Sequence, residues 1–145
     1  CATAQIFADD SPKMHEEFAL QYERRWLERF GLTYYGCCEP LDLKVDMLKS
    51  VPNLRKISMS PWVDMDRAVQ NMGDHYVFSR KPNPAILAED AWNPEQACRD
   101  LREDLQKARG CVVEVIMKDI STVRYQPQRL WEWAQIATEV TEEFA

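Results

Sequence analysis

The residues best suited to chemistry are two adjacent thiols followed by a carboxylate, Cys37, Cys38 and Glu39. Thiolates bind soft ions such as zinc, and a carboxylate completes or tunes such a site. Adjacent side chains on a strand point to opposite faces, so only one of the two cysteines would face the site unless the strand has already ended. The competing reading is a pair of small buried thiols with Glu39 capping the next helix. Lys118 and Asp119 directly follow an apolar run. There Asp119 has the chemistry of an acid or base and Lys118 that of its ion-pair partner; a structural salt bridge is the plainer alternative. Lys81 and Asn83 are interleaved with Pro82 and Pro84, which pre-organises them for an anionic or carbonyl-bearing ligand or simply makes a rigid, solvated loop. Ser58 and Ser60 lead to Trp62, an aromatic placed to line a pocket after a strand end. His15 stands beside Glu16 and Glu17, where a surface position is favoured over one at the rim. His75 follows Gly73 and Asp74 at the amino end of a strand, which argues against a ligand role.

These groups need elements to position them. From Pro12 to Phe30 the residues Met14, Phe18, Tyr22, Trp26 and Phe30 recur every fourth position, one stripe of a helix that Ser11 caps and Gly31 ends. Leu32 to Cys38 reads as a strand stopped at Pro40, Leu41 to Val51 as a short helix, and Leu54 to Ser60 as an alternating strand ending at Pro61. Met65, Ala68, Val69 and Met72 carry the helical signature, and His75 to Ser79 is a further strand. Asn93 and Pro94 open a helix with Ala97, Leu101, Leu105 and Ala108 on its buried stripe. Cys111 to Lys118 is nearly continuously apolar, as expected of a central parallel strand covered on both faces, and Gln128 to Phe144 is a final amphipathic helix. Ala2 to Ala8 is a candidate strand at the start. Trp26, Trp92, Trp131 and Trp133 read as packing residues of helices.

Strand and helix thus alternate five times, with Gly31, Gly73 and Gly110 each at a helix end before a strand. This is the pattern of parallel βα units in one domain spanning residues 1–145. It leaves an open doubly wound sheet or part of a closed barrel, and no glycine lies in the glycine-rich turn that a dinucleotide site would need. In either layout the reactive groups collect at the carboxyl ends of the strands. Here those ends carry Asp9-Asp10, Cys37-Cys38-Glu39, Ser58 and Ser60, Ser79-Arg80-Lys81, and Lys118-Asp119.

The bulk composition excludes several classes. With 24 acidic and 18 basic residues the net charge is −6, and the basic residues are interspersed with acids, so nucleic acid is not an expected partner. No run approaches the ~20 apolar residues of a membrane span, so no membrane partner is expected either. Five cysteines without regular spacing suit reduced thiols, and the first ten residues lack a basic and apolar leader, which points to a cytoplasmic setting.

At Ser11-Pro12-Lys13-Met14-His15-Glu16-Glu17-Phe18, Tyr34-Tyr35-Gly36-Cys37-Cys38-Glu39-Pro40-Leu41, Ile57-Ser58-Met59-Ser60-Pro61-Trp62, Lys81-Pro82-Asn83-Pro84 and Lys118-Asp119 the chain resembles the uroporphyrinogen decarboxylase and corrinoid methyltransferase superfamily. Some of its members are labelled trimethylamine corrinoid protein. The resemblance implies an α/β fold of parallel (β/α) units, about five-eighths of a TIM barrel comprising strands four to eight, with the first three units absent. It implies zinc as a cofactor, with Cys38 matching the cysteine of the family's His-x-Cys pair, and a corrinoid carried by a partner protein. Gly36 stands where the histidine would be, and no cysteine follows the last strand, so zinc would need Cys37, Glu39 or His15 instead.

Two functions follow as expectations. The first is the C-terminal part of a methyltransferase-like, or decarboxylase-like, enzyme in which Cys38 and Glu39 position a metal or thiol while Lys81, Asn83 and Asp119 orient substrate. The second is a non-catalytic half-barrel whose exposed sheet edges pair with another copy or with the missing N-terminal half. A thiol redox role for the adjacent cysteines ranks third, because their disulfide would be strained.

Overall fold

The computed structural model describes residues 1–3 and 5–145. Four short strands, β1 (Thr33–Tyr35), β2 (Leu54–Met59), β3 (Val77–Arg80) and β4 (Val112–Val115), form one sheet in the order β1-β2-β3-β4. Every pairing is parallel. Because neighbours in the sheet are also neighbours in sequence, the described strands contain no reversal of order, the feature that defines a doubly wound sheet. The candidate strand Ala2 to Ala8 contains Ala4, which lies outside the described residues. Around it, Ala2 makes an isolated parallel bridge to Tyr35 and Gln5–Phe7 forms a 3₁₀ turn.

Among the described residues seven α-helical segments connect and cover the strands. α1 (Pro12–His15) continues through a π-helical stretch, Glu16–Leu20, into α2 (Gln21–Leu27). α3 (Val45–Leu48) is a single turn, α4 (Met65–Met72) has its expected bounds, and α5 (Ala85–Ala88) directly follows the Lys81–Pro84 loop. α6 (Pro94–Lys107) and α7 (Gln128–Glu142) pack on each other. The caps read from sequence form as hydrogen bonds: Ser11 Oγ accepts from Met14 N at 3.2 Å, and Asn93 Oδ1 from Gln96 N at 3.0 Å. Each satisfies a helix-end N–H that would otherwise lack a partner.

Side chains alternate across a sheet, and here the two faces differ in chemistry. Tyr35, Ile57, Met59 and Phe78 point to the helical side, where they form the core with Leu20, Leu27, Leu48, Ala68 and Met72. A second cluster joins Leu101, Leu105 and Val140 to Val113 and Val115. The opposite face carries Tyr34, Lys56, Ser58, Ser79 and Glu114. Lys56 on β2 reaches over β3 to Glu114 on β4, with Nζ to Oε2 3.1 Å, and so ties three strands together on this polar face.

Three expectations are corrected. β4 is an edge strand rather than a doubly covered central one, with Val112 43% exposed, because no strand follows it in the sheet and Glu114 turns one face polar. The stripe Met14, Phe18, Tyr22, Trp26 and Phe30 is 45–58% exposed, since the helix buries its neighbouring flank of His15, Ala19, Leu20 and Leu27 instead. Of the tryptophans read as packing residues, Trp131 joins Trp26 on the surface, at 69% exposure. Among the described residues no helix is long and apolar enough to cross a membrane.

Candidate functional site

The turn after β1 is shaped around Gly36. Its φ is +96°, and a Cβ there would lie 2.5 Å from Leu41 Cδ1 and 3.0 Å from Ser58 Cβ, so a side chain is excluded both by conformation and by space. The bare glycine lets the chain fold back so that the buried Glu39 carboxylate accepts the Cys37 N–H, at 3.2 and 3.0 Å from its two oxygens. Ser58 Oγ donates to the Cys37 carbonyl at 2.5 Å. Cys37 and Cys38 therefore lie past the end of β1, free of the strand alternation that would have separated them, and their sulfurs stand 3.2 Å apart.

Lys118 and Asp119 arrive from the opposite edge of the sheet. The Lys118 ammonium donates to Cys37 Sγ at 2.7 Å, and Cys38 Sγ donates to Asp119 Oδ2 at 2.7 Å. Lys118 and Asp119 are themselves 3.8 Å apart. Asp119 has φ +58°, a left-handed conformation uncommon outside glycine, which turns the chain after β4 and brings its carboxylate to the thiol. Burial and then the hydrogen bond to Asp119 push the Cys38 thiol up to about 11, so it remains protonated at neutral pH. Burial would lower the Lys118 ammonium, but its hydrogen bonds to Cys37 and Cys38 outweigh that and hold it above the ordinary lysine value.

Beside this cluster runs a polar network that contains the expected Lys81 and adds Lys56 and Glu114, which the sequence reading did not identify. Ser79 Oγ donates to Glu114 at 2.6 Å and accepts from Lys81 Nζ at 2.5 Å, while Lys56 pairs with the same Glu114. Lys56 and Lys81 lie 4.8 and 5.6 Å from the Tyr34 ring centroid. Burial opposes ionisation of Glu114, but the Ser79 and Lys56 hydrogen bonds prevail and lower its pKa. The usable signal was Glu114 itself, a charge inside an apolar strand, together with polar residues at alternate positions 56, 58, 79 and 81.

The remaining candidates are dispersed. Ser60 is buried and uses its carbonyl to accept from Arg80 Nη1 at 2.6 Å, where Arg80 also forms a two-pronged pair with Asp104. Trp62 is 70% exposed and does not line the thiol cluster. Asn83 caps the turn at Ala85 and borders a separate cavity of ≈340 Å³ with Arg80, Asp104 and Trp133 on the helical side. His15, expected at the surface, is fully buried: its Nε2 lies 2.7 Å from Tyr35 OH, which donates to Glu23 at 2.5 Å. Since the tyrosine hydroxyl gives its proton to Glu23, Nε2 must be the protonated ring nitrogen, and the buried Nδ1 has no hydrogen-bond partner. Burial, then the Lys44 charge, lowers the His15 pKa. His15 thus belongs to a buried tyrosine–glutamate chain and not to the thiols.

Zinc, implied by the family resemblance, is tested by the donors. Four tetrahedral bonds of ~2.3 Å hold two sulfurs ~3.7 Å apart. The 3.2 Å separation is shorter, and an ammonium already contacts one sulfur. Among the described residues no three His, Cys, Asp or Glu side chains form a group able to hold a metal ion. As arranged, the cluster does not fit zinc. What it can do is hold a protonated thiol against a carboxylate base and a second thiol against a cation.

No protein-family model matches the chain, and neither the curated proteins nor the solved structures include a match.

Proposed function

We propose that the chain is the C-terminal part of a uroporphyrinogen decarboxylase-like barrel, strands four to eight, whose rim serves group transfer at a thiol, with a methyl group delivered by a corrinoid-bearing partner. The observation that carries this reading is the 2.7 Å contact between Cys38 Sγ and Asp119, which joins loops from the two edges of the sheet. A thiol becomes a nucleophile only after losing its proton, and a carboxylate at hydrogen-bond distance is the acceptor such a step requires. Lys118 supplies positive charge next to the reacting sulfurs, and Lys56 and Lys81 suit an anionic part of the substrate. Sequential parallel strand order and the meeting of the loops that follow β1 and β4 support a barrel segment over an open sheet.

The test uses methylcobalamin as donor. The reduced chain is incubated with it, and methyl incorporation at each cysteine is read by peptide mass spectrometry. Methylation is expected at Cys38 well above the labelling of Cys1, Cys98 and Cys111. Equal labelling of Cys1, Cys98 and Cys111 would refute the reading. Adding zinc tests the metal-dependent version: stoichiometric retention with loss of the Lys118 contact would restore it.

A second reading, a self-associating half-barrel, is favoured by the exposed Met14 to Phe30 ridge. Contiguous exposed apolar side chains suit an interaction surface. The ridge is self-complementary about Tyr22: an antiparallel second copy sets Phe18 against Trp26 and Met14 against Phe30, with Glu17 near Arg25 and Arg29. Light scattering should then report a dimer that Trp26→Glu dissociates; a monomeric wild type would exclude it.

A further inference from the structure

We propose that Cys37 and Cys38 form a chelating site for trivalent arsenicals, the class of arsenite and monosubstituted arsenous acids. The inference concerns the thiol pair alone and does not depend on the methyl-transfer reading.

The sulfur separation carries the argument. Bonds of about 2.3 Å, the zinc–thiolate length, place two sulfurs about 3.2 Å apart when the angle at the centre is about 90°, and ~3.7 Å apart when it is tetrahedral. Trivalent arsenic keeps a lone pair, is pyramidal, and has angles near the smaller value. The pair stands at 3.2 Å before any ligand is added, so the geometry that disfavours zinc matches arsenic. The centre is also soft, as thiolate ligands prefer.

Pre-organisation favours the same ligand. Glu39 fixes the Cys37 N–H and Ser58 fixes the Cys37 carbonyl, so ring closure orders little further backbone. Both cysteines are partly accessible, and the Asp119 side chain is open to solvent. Cys1, Cys98 and Cys111 are free cysteines distant in sequence from one another, and among the described residues the single sulfur–sulfur contact is the one between Cys37 and Cys38.

The step balances without redox change. Arsenous acid loses two hydroxyl groups as two arsenic–oxygen bonds break. Two arsenic–sulfur bonds form, and the two thiol protons leave with those hydroxyls as water. Asp119 receives the Cys38 proton and passes it to one departing hydroxyl, and the Lys118 ammonium donates to the hydroxyl that remains on arsenic.

Phenylarsine oxide is the probe, applied to the reduced full chain. Intact mass should show one phenylarsenic group per chain, bound with loss of one water, resistant to excess glutathione and removed by a small dithiol. In the wild type it should protect Cys37 and Cys38, but not Cys98 or Cys111, from iodoacetamide. Cys37→Ser and Cys38→Ser should each weaken binding about 100-fold, the lower range of a chelate advantage, while Cys98→Ser and Cys111→Ser leave it unchanged. An adduct stripped by glutathione, or persisting in Cys38→Ser, would overturn the proposal. So would equimolar zinc that binds the pair and blocks the arsenical, since the sulfur separation would then not discriminate between them.

Discussion

Replacing Asp119 with asparagine removes the charged acceptor of the Cys38 proton while leaving size and shape nearly unchanged. In the intact protein the Cys38 thiol is raised from 9.0 to about 11. At pH 8 its thiolate fraction therefore lies about 100-fold below that of an ordinary cysteine. Burial is the larger cause and Asp119 the next, so the substitution recovers only part of this suppression, and a roughly 3–10-fold faster alkylation of Cys38 is expected. Iodoacetamide labelling between pH 7 and 11, with the two cysteines distinguished by fragment masses, measures it directly. If wild-type Cys38 reacts as fast as exposed Cys1, the carboxylate contact does not exist in solution. If the variant and wild type coincide, burial alone sets the value and Asp119 cannot be the proton acceptor. The same shift fixes a sign for stability: the folded state holds a proton that the unfolded chain releases near pH 9, so this contribution is present below pH 9 and is lost as pH rises toward 11.

Other consequences follow from neighbouring residues. His15 is held neutral by burial, so its contribution to stability is present above pH 6.5 and falls as the unfolded chain gains a proton below it; guanidinium midpoints at pH 7.5 and 5.0 should differ, and the difference should shrink in His15→Gln. Gly36→Ala places a methyl group 2.5 Å from Leu41 Cδ1 at a positive φ and should destabilise by about 1–3 kcal/mol in chemical denaturation; an unchanged midpoint would mean that the thiol turn is not built on this glycine. Arg129 is buried and donates to the carbonyls of Leu87, Glu89 and Asp90 at 3.0, 2.6 and 3.1 Å. Arg129→Ala leaves these without donors and should lower stability by about 2–4 kcal/mol.

The part of this protein legible in sequence is the part governed by local rules. Parallel βα alternation, the caps at Ser11 and Asn93, the α4 stripe and the grouping of polar residues at strand ends all follow from periodicity, backbone conformation and short-range hydrogen bonding. Even Cys37, Cys38, Lys118 and Asp119 could be named one by one, since each follows a recognisable strand. Their partnership could not. Lys118 and Asp119 lie 81 residues from the thiols they contact, and only the path of the chain after β4, with the left-handed turn at Asp119, brings them together. Tertiary packing likewise decided which flank of the first helix is buried: the four-residue spacing of Met14 to Phe30 defines a stripe, but not whether the sheet lies beneath it. The same holds for His15, whose acidic neighbours in sequence suggest the surface. The space between Tyr35 and the helix instead takes the ring inside, where the Tyr35 hydroxyl accepts a hydrogen bond from its Nε2–H.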